Sequence, residues 1–167
     1  RGTSFAAIAD AAFAADGWRY NKSGAMVHTV SQSTDVPTVA QSGRKIPYSF
    51  LVDCTTVDSS IAAGDYCFVR ATIEGFDWND FAQIGFPFSF WHKHTKTGTY
   101  CVSFRNAGAD RSFVAEYTQA VTDTWELATV NVLASPTAGT WDYTNGIGVQ
   151  VAFALACGST FQTTAGA

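Results

Sequence analysis

The chain has 167 residues, enough for one domain with a real core. Only 14% of residues are charged and the formal net charge is -4 with no basic cluster, which argues against nucleic acid, because neutralising phosphates takes grouped Lys and Arg. No apolar run approaches the ~18–20 residues that a membrane-spanning helix needs, so no membrane insertion is expected.

Residues Arg1 to Trp18 are rich in Ala, and Phe5, Ile8, Ala12 and Ala15 are spaced roughly like one face of a helix that Ser4 could cap. The segment has no charged face for solvent, so the expectation is an extended arm covering a sheet and ending in a short strand. Trp18 and Tyr20 lead into a strand over 25–32, where Met26, His28 and Val30 alternate with Val27, Thr29 and Ser31. Residues 33–47 hold Pro37, Gly43 and Pro47 and read as a loop. A strand over 48–55 puts Phe50, Val52 and Cys54 on one face; a turn over 56–65 leads to another strand over 66–74. Residues 75–85 carry Phe76, Trp78 and Phe81 among Asp77, Asn79 and Asp80, and read as a loop or one short helical turn.

Residues 86–105 read as an antiparallel hairpin. Phe86, Phe88 and Phe90 share one face of its first strand, Tyr100, Val102 and Phe104 one face of its second, and Thr95 to Gly98 form the connection. After a turn at 106–110 comes a strand over 111–118. Another covers 124–133, where an apparent change of face predicts a bulge near Ala128. Residues 134–145 are turn-rich. Ile147, Val149, Val151, Phe153 and Leu155 then alternate along a last long strand, and a polar tail follows. About eight strands with turn signals every ten or so residues predict an all-β chain, a jelly-roll β-sandwich of antiparallel strands in a single domain over 1–167.

The chemistry-bearing residues are few. The four cysteines, Cys54, Cys67, Cys101 and Cys157, lie in or beside expected strands with no metal-ligand spacing, and read as buried thiols, although an even count permits disulfides. His92 and His94 share a strand face and could hold a metal given a third ligand; a polar strand end is the plainer reading. Glu74, Asp77 and Asp80 lie close in sequence, but glycoside hydrolysis needs two carboxylates held across a cleft, and calcium loops of the EF type have another spacing. There is no nucleophile elbow. No enzyme activity, cofactor or metal is therefore expected. The aromatic loops are richer: Asp77-Trp78-Asn79 and Trp141-Asp142-Tyr143 set rings beside hydrogen-bonding groups, as a carbohydrate site does. Asp77, Trp78, Asn79, Asp142 and Tyr143 are the candidate carbohydrate-binding residues. The alternative is that Trp78 and Trp141 plug the open ends of the sandwich.

Several motifs carry a resemblance along nearly the whole chain. They are Arg1-Gly2-Thr3-Ser4-Phe5, Ala15-Asp16-Gly17-Trp18-Arg19-Tyr20, the run from Arg70 to Phe76, Phe88-Ser89-Phe90-Trp91 and Lys96-Thr97-Gly98-Thr99-Tyr100. Phe104-Arg105-Asn106, Arg111-Ser112-Phe113, Thr124-Trp125-Glu126, Gly139-Thr140-Trp141 and Asn145-Gly146-Ile147-Gly148 continue it. The chain resembles a β-sandwich domain of bacteriophage virion appendages, tail fibres and related receptor-binding or head-decorating fibres. The resemblance implies a carbohydrate-binding-like jelly roll in a structural virion protein, commonly a homotrimer, assembled with other virion proteins in the host cytoplasm. It extends to host cell-surface polysaccharide as a ligand, or else to a capsid-decoration or fibre-attachment role with no ligand. Relatives have more β-branched residues where this chain has Ala near its start, which favours the extended arm. They begin the first motif earlier, so the chain is expected to be a fragment of a longer fibre protein. His92 and His94 depart from the pattern, and no role is carried onto them. Free thiols fit assembly in a reducing cytoplasm.

Overall fold

The computed structural model describes residues 2–166; Arg1, part of the first motif above, and Ala167 in the polar tail lie outside the described residues. In chain order the strands are β1 (Ser4–Phe5), β2 (Arg19–Lys22), β3 (Val27–Ser33), β4 (Ser49–Thr56), β5 (Tyr66–Glu74), β6 (Phe86–His92), β7 (Gly98–Arg105), β8 (Ser112–Gln119), β9 (Glu126–Val132) and β10 (Ile147–Cys157). Two short helices are α1 (Val39–Ser42) and α2 (Gly75–Ala82). The fold is mostly β with antiparallel sheets. The described residues form two compact units, 2–69 with 156–161 and 70–155 with 162–166; β5 and β10 each run through both.

In the first unit β1, β3 and β4 form an antiparallel sheet, with β3 in the middle. Val30 faces Phe5 on one side and Val52 on the other, and is fully buried. β2 lies beside β5. Ile8, Ala14, Tyr20, Met26, Cys67 and Val69 are buried with it. The expected arm is extended, not helical. Ala7 and Ala11 sit at φ 44° and 59°, left-handed values that a helix cannot contain. The arm is tied down because the Ile8 N–H donates to the His28 carbonyl at 3.0 Å and the Asp10 carboxylate accepts the Lys22 N–H at 2.9 Å. The region expected as a plain loop carries α1. Thr38 and Gln41 form a reciprocal capping box at its start, and Gly43 closes it at φ 70°.

The second unit has two facing sheets. One runs β5-β10-β7-β8; the other is the antiparallel pair β6-β9. Val102, Phe104, Tyr117, Val149 and Val151 from the first meet Val130 and Val132 from the second. Each such side chain, fully buried, contributes about 1.5–3 kcal/mol. Trp78 and Ala82 of α2 belong to the same core.

Three expectations change here. The segments at 86–92 and 98–105 are not a hairpin: β6 pairs with β9, β7 with β8 and β10. The connection between them crosses from one sheet to the other. Their apolar faces therefore meet across the core, Phe86 and Phe88 edge-on to Phe104 at 6.2 and 5.3 Å. Alternation is the same in a hairpin and in such an arch, so it cannot distinguish them. No bulge occurs at Ala128, which pairs regularly with Phe90. Glu126, Ala128, Val130 and Val132 all turn inward while Leu127, Thr129 and Asn131 are exposed. Residues 75–82 form two turns of helix, because Gly75, Trp78 and Ala82 at helical spacing all face the core.

Candidate functional site

The two aromatic loops flagged by sequence do come together. The first N–H groups of α2 have no side-chain cap; Gly75 donates to the Gly146 carbonyl at 2.9 Å and Phe76 to the Thr144 carbonyl at 2.8 Å. This fixes α2 against the 142–146 turn. Trp78 then stacks on Trp141, with ring centres 6.1 Å apart and planes 20° apart, and meets the edge of Phe86 at 5.9 Å. Trp78 is 2% exposed.

The polar groups of the five candidates do not converge. Neighbours on a helix point about 100° apart. Trp78 faces the core, so Asp77 and Asn79 on either side of it are exposed and face elsewhere. Asp142 closes its own turn: it accepts the Thr144 N–H at 2.7 Å and the Thr144 hydroxyl at 2.8 Å, and these bonds hold its carboxyl below the ordinary range. Tyr143 is half-buried and its hydroxyl accepts from Gln83 Nε2 at 3.3 Å. Beside the stacked rings is a cavity of about 240 Å³, lined by Trp78, Trp141, Phe104, Phe113, Val132 and Val149, among others, with Arg111, Ser112 and Ser135 supplying polar groups. Trp141 Nε1 donates to the Ala138 carbonyl at 3.1 Å, whereas Trp78 Nε1 is buried with no partner.

The histidines are built into the fold. At the arch, Gln119 Oε1 accepts the His94 N–H at 3.0 Å and lies 3.0 Å from His92 Nδ1. Its Nε2 donates to the carbonyls of Val121 and Thr124 and to Glu126. The His94 ring stacks on Tyr100, centres 3.6 Å and planes 10° apart. Burial, then the neighbouring His92, brings its pKa down to about 4. In the first unit Tyr20, His28 and Cys67 form a buried chain, with Tyr20 Oη 2.6 Å from His28 Nδ1 and Cys67 Sγ 3.4 Å from Tyr20 Oη. Burial lowers His28 and pushes the Cys67 thiol up to about 11, so the chain is neutral at pH 7. Among the described residues no three His, Cys, Asp or Glu side chains are grouped as metal ligands.

A second concavity, in the first unit, is lined by Ala15, Trp18, Gln32, Tyr48, Ser49 and Phe50. None of these was a candidate from sequence. The signal was faint: two aromatic-x-aromatic pairs, Trp18-Arg19-Tyr20 and Tyr48-Ser49-Phe50, far apart in the chain. Comparison with protein-family models, curated proteins and solved structures found no match to this chain.

Proposed function

We propose that this chain is a structural component of a bacteriophage virion appendage, a tail or head fibre, in which a carbohydrate-binding-like jelly-roll sandwich of about eight antiparallel strands assembles as a homotrimer with other virion proteins. The motif resemblance supplies the family. The observation that carries the structural role is the apolar surface left uncovered on a chain with so little charge: Val57, Phe76, Ile84 and Leu133 are 74%, 61%, 76% and 61% exposed. In a fibre such side chains are covered by neighbouring subunits. The burial of Trp78 fits the same role, because the ring fills the core and is not displayed.

Two measurements test this. Analytical ultracentrifugation is expected to give a trimer that Ile84→Lys weakens; a monomer at high concentration refutes the assembly. Immunogold labelling is expected to place the chain on particles of the phage that encodes it. Absence from purified particles refutes the virion assignment. A second reading, adsorption to host surface glycans, is favoured by the aromatic concavity of the first unit.

A further inference from the structure

The groove formed by Trp18, Tyr48 and Phe50 has the composition of a sugar site. Gln32 and Phe50 are direct cross-strand partners on β3 and β4, so their side chains emerge on one face. Trp18 leans over Phe50 with ring centres 5.5 Å apart and planes 33° apart. Tyr48 is 52% exposed. The walls are thus aromatic, and two of the polar side chains in them are available. The Gln32 carboxamide and the Tyr48 hydroxyl make no hydrogen bond to any described residue.

We infer that this groove binds one ring of a neutral glycan. A pyranose has an apolar C–H face, which suits aromatic walls, and hydroxyls that both donate and accept. A carboxamide donates two hydrogens and accepts, and a phenol does one of each, so Gln32 and Tyr48 match hydroxyls in either role. Among the described residues no charged side chain lines the groove, so none of them pairs with an acidic sugar there. The volume of about 210 Å³ lies below the ~300–1,000 Å³ of drug-sized pockets, which limits the site to a single ring. A proline-rich peptide also favours aromatic walls, but it spans several residues and needs a longer groove.

The inference rests on the appendage reading only for the source of the glycan. The test is saturation-transfer NMR on the whole chain with methyl glycosides of glucose, galactose, mannose and N-acetylglucosamine, and with a proline-rich decapeptide. At least one glycoside is expected to bind. Tyr48→Ala is expected to weaken it about tenfold and Gln32→Ala about three- to tenfold, with unchanged melting temperatures. Tyr48→Phe is expected to lose less than Tyr48→Ala, because the ring face remains. Arg111→Ala, at the other cavity, is expected to change nothing. Binding by none of the glycosides, binding indifferent to Tyr48 and Gln32, loss on Arg111→Ala, or displacement by the peptide each overturns the proposal. A chain that joins the particle yet binds no sugar refutes the groove alone. One that binds sugar yet is absent from particles refutes the appendage reading alone.

Discussion

Gly148→Ala should loosen the second unit from a single added methyl. A Cβ at Gly148 would stand 2.5 Å from the Trp78 Cβ, 2.8 Å from the Gly75 Cα and 3.0 Å from the Glu74 carbonyl. Carbon atoms rest at about 3.5–4.0 Å, so the helix must retreat by roughly 1 Å. None of the three atoms can turn aside: two are backbone and the third is the first atom of its side chain. Retreat is resisted as well, because Gly75 and Phe76 are hydrogen-bonded to Gly146 and Thr144. Gly75 has no slack of its own; a Cβ on it would lie 2.6 Å from the Asp142 carbonyl. Overpacking of this kind costs about 1–3 kcal/mol. At ~2–4 °C per kcal/mol for a chain of this size, melting should fall by roughly 2–12 °C. Near-UV circular dichroism should change too, since Trp78 and Trp141 must separate. The control is Gly64→Ala, where a Cβ meets nothing within 4 Å. It should be neutral or raise stability by up to about 1 kcal/mol. If Gly148→Ala melts with wild type and keeps its near-UV spectrum, the close approach of α2 to β10 is wrong.

Gln119→Leu should destabilise by about 2–4 kcal/mol in urea titrations, because Gln119 is fully buried and its loss strands the His94 N–H and the carbonyls of Val121 and Thr124. Stability should fall as pH drops from about 6.5 towards 4. His94 is held near 4 in the fold against 6.5 when unfolded, so the unfolded chain takes the proton first; its neutral form stabilises above 6.5, and that contribution is lost on the way down. His94→Gln should flatten that part of the profile, and an unchanged slope counts against the assignment. A thiol reagent should modify exposed Cys54 at once, while Cys67, fully buried with its thiol pushed up to about 11, should wait for unfolding. Peptide mass spectrometry on a time course reads the order.

What was legible in the sequence followed from period. β5 and β10 alternate cleanly and fall where alternation puts them, within a residue of their expected ends. Pairing was not legible. Phe86, Phe88 and Phe90 demand a core on one side, yet nothing in their order says whether the next apolar strand lies beside them or opposite. The helix α2 was obscured because Phe76 and Phe81 remain exposed, which spoils the two-faced pattern a helix usually shows. Read as a loop, Asp77, Trp78 and Asn79 could share a ligand; wound into a helix, they diverge. The Trp18–Tyr48–Phe50 groove was hidden for another reason. It is assembled from an irregular segment and a strand that touch only after folding, and single aromatics in such places carry no local signature.

The arch between β6 and β7 also sets an order of events during synthesis. β7 and β8 are neighbours in sequence and can zip as soon as both have left the ribosome. β6 cannot. Its partners run from Glu126 to Val132, beyond the whole of β7 and β8. At ~5–20 residues per second the nascent chain carries β6 without a ladder for about two to seven seconds, with three phenylalanines on one face. Until β9 emerges, that strand is an open template for any other extended chain. Crowded polysomes, where identical unfinished strands lie side by side, are where this topology is most exposed to misassembly.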